Sequence, residues 1–271
     1  MTEGSAVDDL GVAARTPGPA RRVVSLVPSL TEAIAHTRPE ALVGATDWCT
    51  HPADLDVPRV RGTKNPNLAA IAELAPDLVI ANQEENRELD VRRLRDQGIE
   101  VWVTVTESVP GALDAMERMF AEALGWERPD WLVQARELWS APAVPETVRA
   151  AIPIWRDPWM VVGSNTFTGD LLRRLGVANV FAESADRYPH TTITEITAAA
   201  PDVIVLPDEP YEFTADDGPE AFPGILSRLV EGRLITWYGP SLVTARQTLP
   251  ELLHGADARQ SDVHSSEPEE S

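Results

Sequence analysis

The sequence predicts an α/β protein: two α/β lobes with mostly parallel sheets, joined by a long helical segment. Two observations carry this. First, Ala75-Pro76-Asp77-Leu78-Val79-Ile80 returns as Ala200-Pro201-Asp202-Val203-Ile204-Val205. Each copy follows an Ala-rich helical stretch (Leu68 to Ala75, Ile193 to Ala200) and leads into a short acidic run, Gln83-Glu84-Glu85 or Asp208-Glu209. Upstream of each lies a strand, a polar turn and a helix start, Val23 to Thr31 and Trp159 to Thr168. A unit this long, repeated once, indicates two similar lobes rather than a stack of small repeats. Second, short apolar runs alternate with helical patterns, the signature of strands joined by crossover helices.

The N-terminal lobe is assigned to residues 21–106. Arg22 to Val27 reads as a buried strand stopped by Pro28, and Ser29 as an N-cap with Glu32 at N3, a capping box that opens a helix through about His36. Ala41 to Thr46 is a second strand, followed by Asp47-Trp48-Cys49-Thr50-His51-Pro52 and an irregular stretch to Gly62-Thr63-Lys64-Asn65-Pro66. Asn67 caps a helix from Leu68, strand Leu78 to Ala81 enters the polar loop Asn82 to Arg87, and helix Leu89 to Gln97 stops at Gly98. Ile99 to Thr104 closes the lobe.

Residues 107–150 form the helical connector. Met116, Met119, Phe120, Ala123 and Leu124 recur at helical spacing, with one interruption around Pro129. The C-terminal lobe, 151–253, opens with Ala151 to Trp155, turns at Arg156-Asp157-Pro158 and resumes at Trp159 to Gly163. A helix from Gly169 ends at Gly176, strand Val203 to Leu206 follows the repeated helix, Leu234 to Trp237 reads as a last strand, and Pro240 to Leu253 as a closing helix. The ends, 1–20 and 254–271, are acidic and rich in small residues, so both are expected to be disordered tails.

A chain of 271 residues with net charge −20 argues against nucleic acid or an anionic membrane surface as a partner. Cys49 is the single cysteine, which excludes an internal disulfide. No secretory signal, lipobox or membrane-spanning apolar run is visible, so a cytoplasmic location without membrane insertion is expected. Lys64 is the only lysine, which marks it as a candidate point-charge donor to a ligand.

In parallel α/β sheets ligands bind beyond the strand C-termini, and two facing lobes leave a cleft there. That rule selects Ser29, Trp48, Cys49, His51, Glu84, Glu85, Asn86 and Arg87 from the first lobe, with Lys64 and Asn65 beside them. From the second it selects Trp155, Trp159, Asn165, Phe167, Tyr211, Trp237 and Tyr238. Aromatic walls with sparse polar groups suit a large, flat, partly apolar ligand such as a macrocycle or chelate. Cys49 and His51, beside Asp47, are weak metal candidates, and a metal-handling enzyme using them is the alternative reading. There is no Walker loop, G-x-S-x-G, H-E-x-x-H or C-x-x-C pair. No catalytic residue is therefore assigned, and a non-enzymatic binding role is expected.

Val23 to Glu32, Val43-Gly44-Ala45-Thr46-Asp47-Trp48-Cys49, Gly62-Thr63-Lys64-Asn65-Pro66, Ala75-Pro76-Asp77-Leu78-Val79 and Ala81-Asn82-Gln83-Glu84-Glu85-Asn86 together resemble the cobalamin and iron-siderophore binding proteins of ABC importers. The resemblance extends over roughly residues 21–253. It implies two lobes of the class III periplasmic-binding-protein kind joined by one long helix, with no covalent cofactor. A corrinoid, ferric siderophore or related metal chelate would sit in a shallow interlobe cleft, clamped by aromatics for which Trp48, Trp159 and Trp237 are the matching candidates. In exported members a glutamate on each lobe docks onto permease arginines. The matching positions here are Ala69 and Thr194, with Glu195 one residue away. Docking of that kind is therefore not expected, and an intracellular binding role is.

Overall fold

A computed structural model describes residues 6–14 and 18–254. In chain order the elements are β1 (Ala6–Val7), β2 (Ala13–Ala14), β3 (Val23–Ser25), α1 (Pro28–Thr37), β4 (Leu42–Ala45), α2 (Leu68–Glu73), β5 (Leu78–Asn82), α3 (Glu88–Asp96) and β6 (Val101–Thr104). The connector contributes α4 (Val109–Arg118), a π-helical turn (Met119–Ala123) and α5 (Asp130–Trp139). The second lobe contains β7 (Val148–Ala151), β8 (Pro153–Trp155), β9 (Met160–Val161), α6 (Phe167–Arg174), β10 (Val177–Asn179), α7 (Ile193–Ala198), β11 (Val203–Pro207), β12 (Leu226–Val230), α8 (Gly232–Thr236) and α9 (Ser241–His254).

Two four-stranded parallel sheets form, ordered β4-β3-β5-β6 and β10-β7-β11-β12. The orders superimpose strand for strand, as an internal duplication requires. The duplication extends to single bonds. Arg22 N donates to Asp77 Oδ2 at 2.9 Å, and its guanidinium reaches the carbonyls of Leu74 and Ala75. Arg149 does the same in the second lobe, its N to Asp202 Oδ2 at 2.8 Å and its guanidinium to Ala199 and Ala200. Ala75 and Ala200 both take left-handed backbone, φ 44 and 50°, which turns the chain from helix into the Pro-Asp strand entry.

Strands β3, β5, β6 and β11 are buried along their whole length, as parallel strands covered on both faces must be. One continuous core runs from Val23, Ile34 and Trp102 through Met116 and Phe120 of the connector to Ile152, Val205 and Leu249. Separate apolar clusters lie on the outer face of each sheet, one around Ile71 and Leu94, the other around Trp159 and Phe222. The lobes are thus fused through the connector. Among the described residues no helix is long and apolar enough to cross a membrane.

Several expectations change. The N-cap of α1 is Val27, with Pro28 in the first turn, and Ser29 makes no cap bond. Leu234 to Trp237 is helical or extended beyond α8 rather than a strand, and the fourth strand is the unpredicted Leu226–Val230. Its pattern of exposed and half-buried residues is that of an edge, which hides it from a search for apolar runs. The connector is two packed helices rather than one, with Arg136 ion-paired to Asp114 and Glu117. The second sheet begins at Val148, inside the stretch assigned to the connector. Within the expected N-terminal tail, Ala6 to Ala14 forms an ordered hairpin on the edge strand β6. Residues 1–5, 15–17 and 255–271, and with them most of the expected C-terminal tail, lie outside the described residues.

Candidate ligand-binding cleft

The β5–α3 loop is the best-defined wall of the site. Asn82 Oδ1 accepts from the backbone N–H groups of Glu84 (2.8 Å) and Glu85 (3.3 Å), while its amide donates to the hydroxyls of Thr104 and Thr106, each at 3.1 Å. Asn86 Oδ1 accepts from Asn82 N at 2.9 Å, and its amide donates to the carbonyls of Leu26 (3.2 Å) and Thr63 (3.0 Å). Two buried asparagines therefore tie three loops together, leaving the Glu84 side chain exposed at the rim and the Glu85 carboxyl largely buried beside it.

Across from this loop stand Arg187 and Tyr188 of the second lobe. With Asn82, Gln83, Glu84, Val105, Thr106 and Glu107 they line an open cavity of about 400 Å³. Arg187 spans the gap, with Nη2 2.9 Å from Glu84 Oε2 and Nη1 2.5 Å from Glu107 Oε1. Lys64 Nζ donates to the Glu84 carbonyl on the same rim. Deeper, Tyr238 packs edge-on against Phe167 at 5.6 Å. Its buried hydroxyl lies beside Thr106 and Ser29 without completing a hydrogen bond.

The field in this region is negative. Burial pushes the Glu85 carboxyl above its ordinary value, Lys64 offsets part of the rise, and Glu84 adds to it. Burial likewise raises Glu209, at the corresponding loop of the second lobe; its bond from Thr236 offsets this, and the charges of Asp208 and Glu85 add. The phenols of Tyr188 and Tyr238 are both held well above normal, first by burial and then by Glu84 and Glu85 respectively.

The expected aromatic wall is dispersed. Trp159 lies in the core, stacked on Phe213 at 5.9 Å and edge-on to Phe222 at 5.2 Å, and Phe167 is buried as well. Trp237 is buried edge-on to His51 at 5.3 Å. Only Trp48, 66% exposed, and Trp155, 44% exposed, present large apolar surface. Trp155 packs on Tyr211, whose hydroxyl donates to Asp217 at 2.6 Å. Asn165 is exposed at φ 50°, one residue before the N-cap Thr166 of α6, and Arg87 is an exposed N-cap of α3. Trp48 stands over Gly62, where a Cβ would come within 3.2 Å of its Nε1 and 2.5 Å of Asn65 Oδ1. Trp48, Asn65, Lys64 and Glu84 therefore form one continuous rim.

Cys49 is placed as a packed interior thiol rather than an open ligand. It is fully buried, with the Thr31 hydroxyl donating to Sγ at 3.0 Å and the Thr46 hydroxyl hydrogen-bonded to the same sulfur at 3.0 Å. Burial raises its thiol, which those hydroxyls only partly offset, and His51 turns instead to Thr50 and Trp237. Among the described residues no group of three or more His, Cys, Asp or Glu is placed to hold a metal ion. Sequence reasoning missed Thr106, Glu107, Arg187 and Tyr188. The first two follow the correctly read strand ending at Thr104, so the strand-end rule applied once more would have found them. Arg187 and Tyr188 lie in a long loop after β10, where no motif points to them.

Two α/β lobes of one strand order, fused by helices and facing across an ion-paired cleft, define the architecture of a two-lobed binding protein. The chain belongs to the periplasmic binding protein family, whose model matches residues 23–222. A vitamin B12-binding protein from Vibrio cholerae is 25% identical over 195 residues, covering 69% of this chain and 71% of the relative. The crystal structure of a periplasmic vitamin B12 binding protein of Vibrio cholerae superimposes with a TM-score of 0.69 at 21% identity, covering 88% of this chain and 98% of that one. A periplasmic heme binding protein from Pseudomonas aeruginosa gives a TM-score of 0.70 at 21% identity, covering 88% and 94%. These likenesses establish the fold as that of class III periplasmic binding proteins.

Proposed function

We propose that the protein is a non-enzymatic binding protein that holds a metal chelate of the corrinoid, haem or ferric-siderophore kind at the interlobe cleft. The observation that carries this reading is the rim that joins exposed Trp48 through Asn65 and Lys64 to the cavity wall at Glu84. An exposed indole gives a ring to stack on, and the cavity gives polar groups for the ligand's arms. At about 400 Å³ the cavity is near the small end of ligand sites, roughly 300–1,000 Å³, so a large chelate lies over the mouth with only its arms inside. Relatives named for vitamin B12 and heme support the ligand class. The burial of Cys49 weighs against the alternative reading of a metal-handling enzyme built on Cys49 and His51.

Docking through paired glutamates has no support in the helix registers. Asn67 and Thr192 cap α2 and α7, which makes Ala69 and Thr194 the equivalent second helical residues. Glu195 is one position on and is spent on its own capping box.

The reading is tested by tryptophan-fluorescence titration with cobalamin, cobinamide, haem and a ferric-siderophore panel, corrected for inner-filter absorption. Saturable one-to-one quenching by one class, weakened about tenfold by Trp48→Ala, is the expected result; loss of one stacking contact is worth roughly 1–1.5 kcal/mol. Silence across the panel overturns it.

A further inference from the structure

We propose that the cleft selects neutral or cationic chelates with N–H-donating arms, amide or ammonium, and rejects chelates whose arms end in carboxylates. The inference rests on the chelate-binding reading and takes it one step further, to the charge of the ligand.

Four carboxylates border the space between the lobes. Glu84 and Glu107 lie on the cavity wall. Glu85 and Glu209 come from corresponding loops of opposite lobes, and the charge of Glu85 reaches Glu209 across the gap. Among the described residues Arg187 and Lys64 answer them, and both are already engaged. Arg187 is held between Glu84 and Glu107, and Lys64 binds the Glu84 carbonyl. An incoming carboxylate gains Arg187 only by displacing two carboxylates that remain beside it as like charges, so it is repelled where it would have to bind. An amide or ammonium arm meets the opposite situation. Glu85 and Glu107 offer acceptor oxygens, and the hydroxyls of Ser29, Thr106 and Tyr238 gather at the inner end of the site. The Tyr238 hydroxyl is an independent sign of a ligand. It is buried, its only neighbours for hydrogen bonding among the described residues are the hydroxyls of Ser29 and Thr106, neither in good bonding geometry, and Thr106 lines the cavity. A buried phenol whose hydrogen bonds are poorly aligned is unfavourable, and a polar arm reaching the cavity's inner end completes them.

The test uses the full chain and two pairs of probes matched in shape and opposite in charge. One pair is cobinamide and a corrinoid of the same ring whose amide arms are hydrolysed to carboxylates. The other is a ferric linear trihydroxamate bearing a free ammonium and the same complex succinylated at that amine. In whichever pair binds, the amide or ammonium member is expected to bind at least tenfold more tightly. That ratio should narrow when salt is raised, because exposed charge is screened. It should also narrow in the Glu85→Gln/Glu209→Gln variant, which leaves the Arg187 bridge intact and whose fold is checked by circular dichroism. Equal or tighter binding of the carboxylate member overturns the inference while leaving the chelate reading standing. So does a ratio that neither salt nor the variant changes. If no member of either pair binds, this inference falls, while the chelate reading is decided separately by the full panel, haem included.

Discussion

Glu32 of α1 accepts two hydrogen bonds from Arg233 of α8, from Nε at 3.2 Å and Nη2 at 2.8 Å, and so joins the lobes 201 residues apart in sequence. The Glu32 side chain is 1% exposed and its Oε2 has no partner of its own. With Arg187 on Glu84 and Glu107, it makes two separate ionic ties across one cleft, in addition to the continuous core beneath. The lobes are thus held in register at two points, one buried and one at the rim.

Breaking the buried tie strands a carboxylate away from water. Arg233→Ala is expected to destabilise the fold by about 2–3 kcal/mol, the low side for a broken buried pair because Arg233 keeps some contact with solvent. Glu32→Gln, which keeps the shape and removes the charge, should be milder. Urea denaturation of both variants checks the order. Equal losses would mean that the charge pairing itself, rather than a stranded carboxylate, sets the cost.

Glu85 and Glu209 make stability fall with rising pH across a defined window. Both carboxyls are raised above the ordinary 4.5 in the folded state. The native protein therefore binds more protons than the unfolded chain between that value and the raised ones, and stability declines as pH rises through the window. Glu85→Gln/Glu209→Gln should flatten this slope and raise the melting temperature at pH 7. Melting curves from pH 5 to 8 decide it, and a variant slope as steep as wild type would assign the effect to other groups.

Cys49 provides a sharper test of a corrected expectation. Its thiol is buried among Thr31 and Thr46, so a thiol reagent should react with the native chain only as fast as the chain opens, and at once in denaturant. Cys49→Ala should cost about 1–2 kcal/mol and leave ligand affinity unchanged. Rapid labelling of the native protein would contradict this packing.

What the sequence made legible was local or periodic. The Pro-Asp repeat was visible because Asp77 and Asp202 each hold an arginine that opens a strand, and the same bond needs the same residues twice. Strand ends were readable for the same reason, so the Asn82–Arg87 loop was found. Long-range choices were not. Glu32 reads as a capping-box residue because its partner, Arg233, is unknowable from its neighbours. Trp159 reads as a cleft aromatic until Phe213 and Phe222 close over it. The apolar run Leu234 to Trp237 is too short for its period to separate helix from strand, and tertiary packing chose helix.

The N-terminal hairpin is the clearest case of composition misleading, and it yields the last prediction. Acidic residues in a small-residue context read as a tail, yet Asp8 is fully buried. Its Oδ1 accepts from Leu10 N and Val12 N at 3.0 and 2.9 Å, and its Oδ2 from Val103 N at 3.3 Å and Arg95 Nη2 at 2.6 Å. Asp9 N donates to the Val103 carbonyl at 3.1 Å, and Asp9 Oδ2 accepts from Val105 N at 2.9 Å. The hairpin thus covers the open edge of β6, the strand that leads directly to Thr106 and Glu107 at the cleft. Asp8→Ala leaves three backbone N–H groups and Arg95 without their acceptor, and should cost about 3 kcal/mol. Hydrogen exchange at Val103 and Val105 should speed up before exchange in the second lobe does, because the loss is local to one edge. Unchanged protection at those two amides in Asp8→Ala would show that β6 holds its edge without the hairpin.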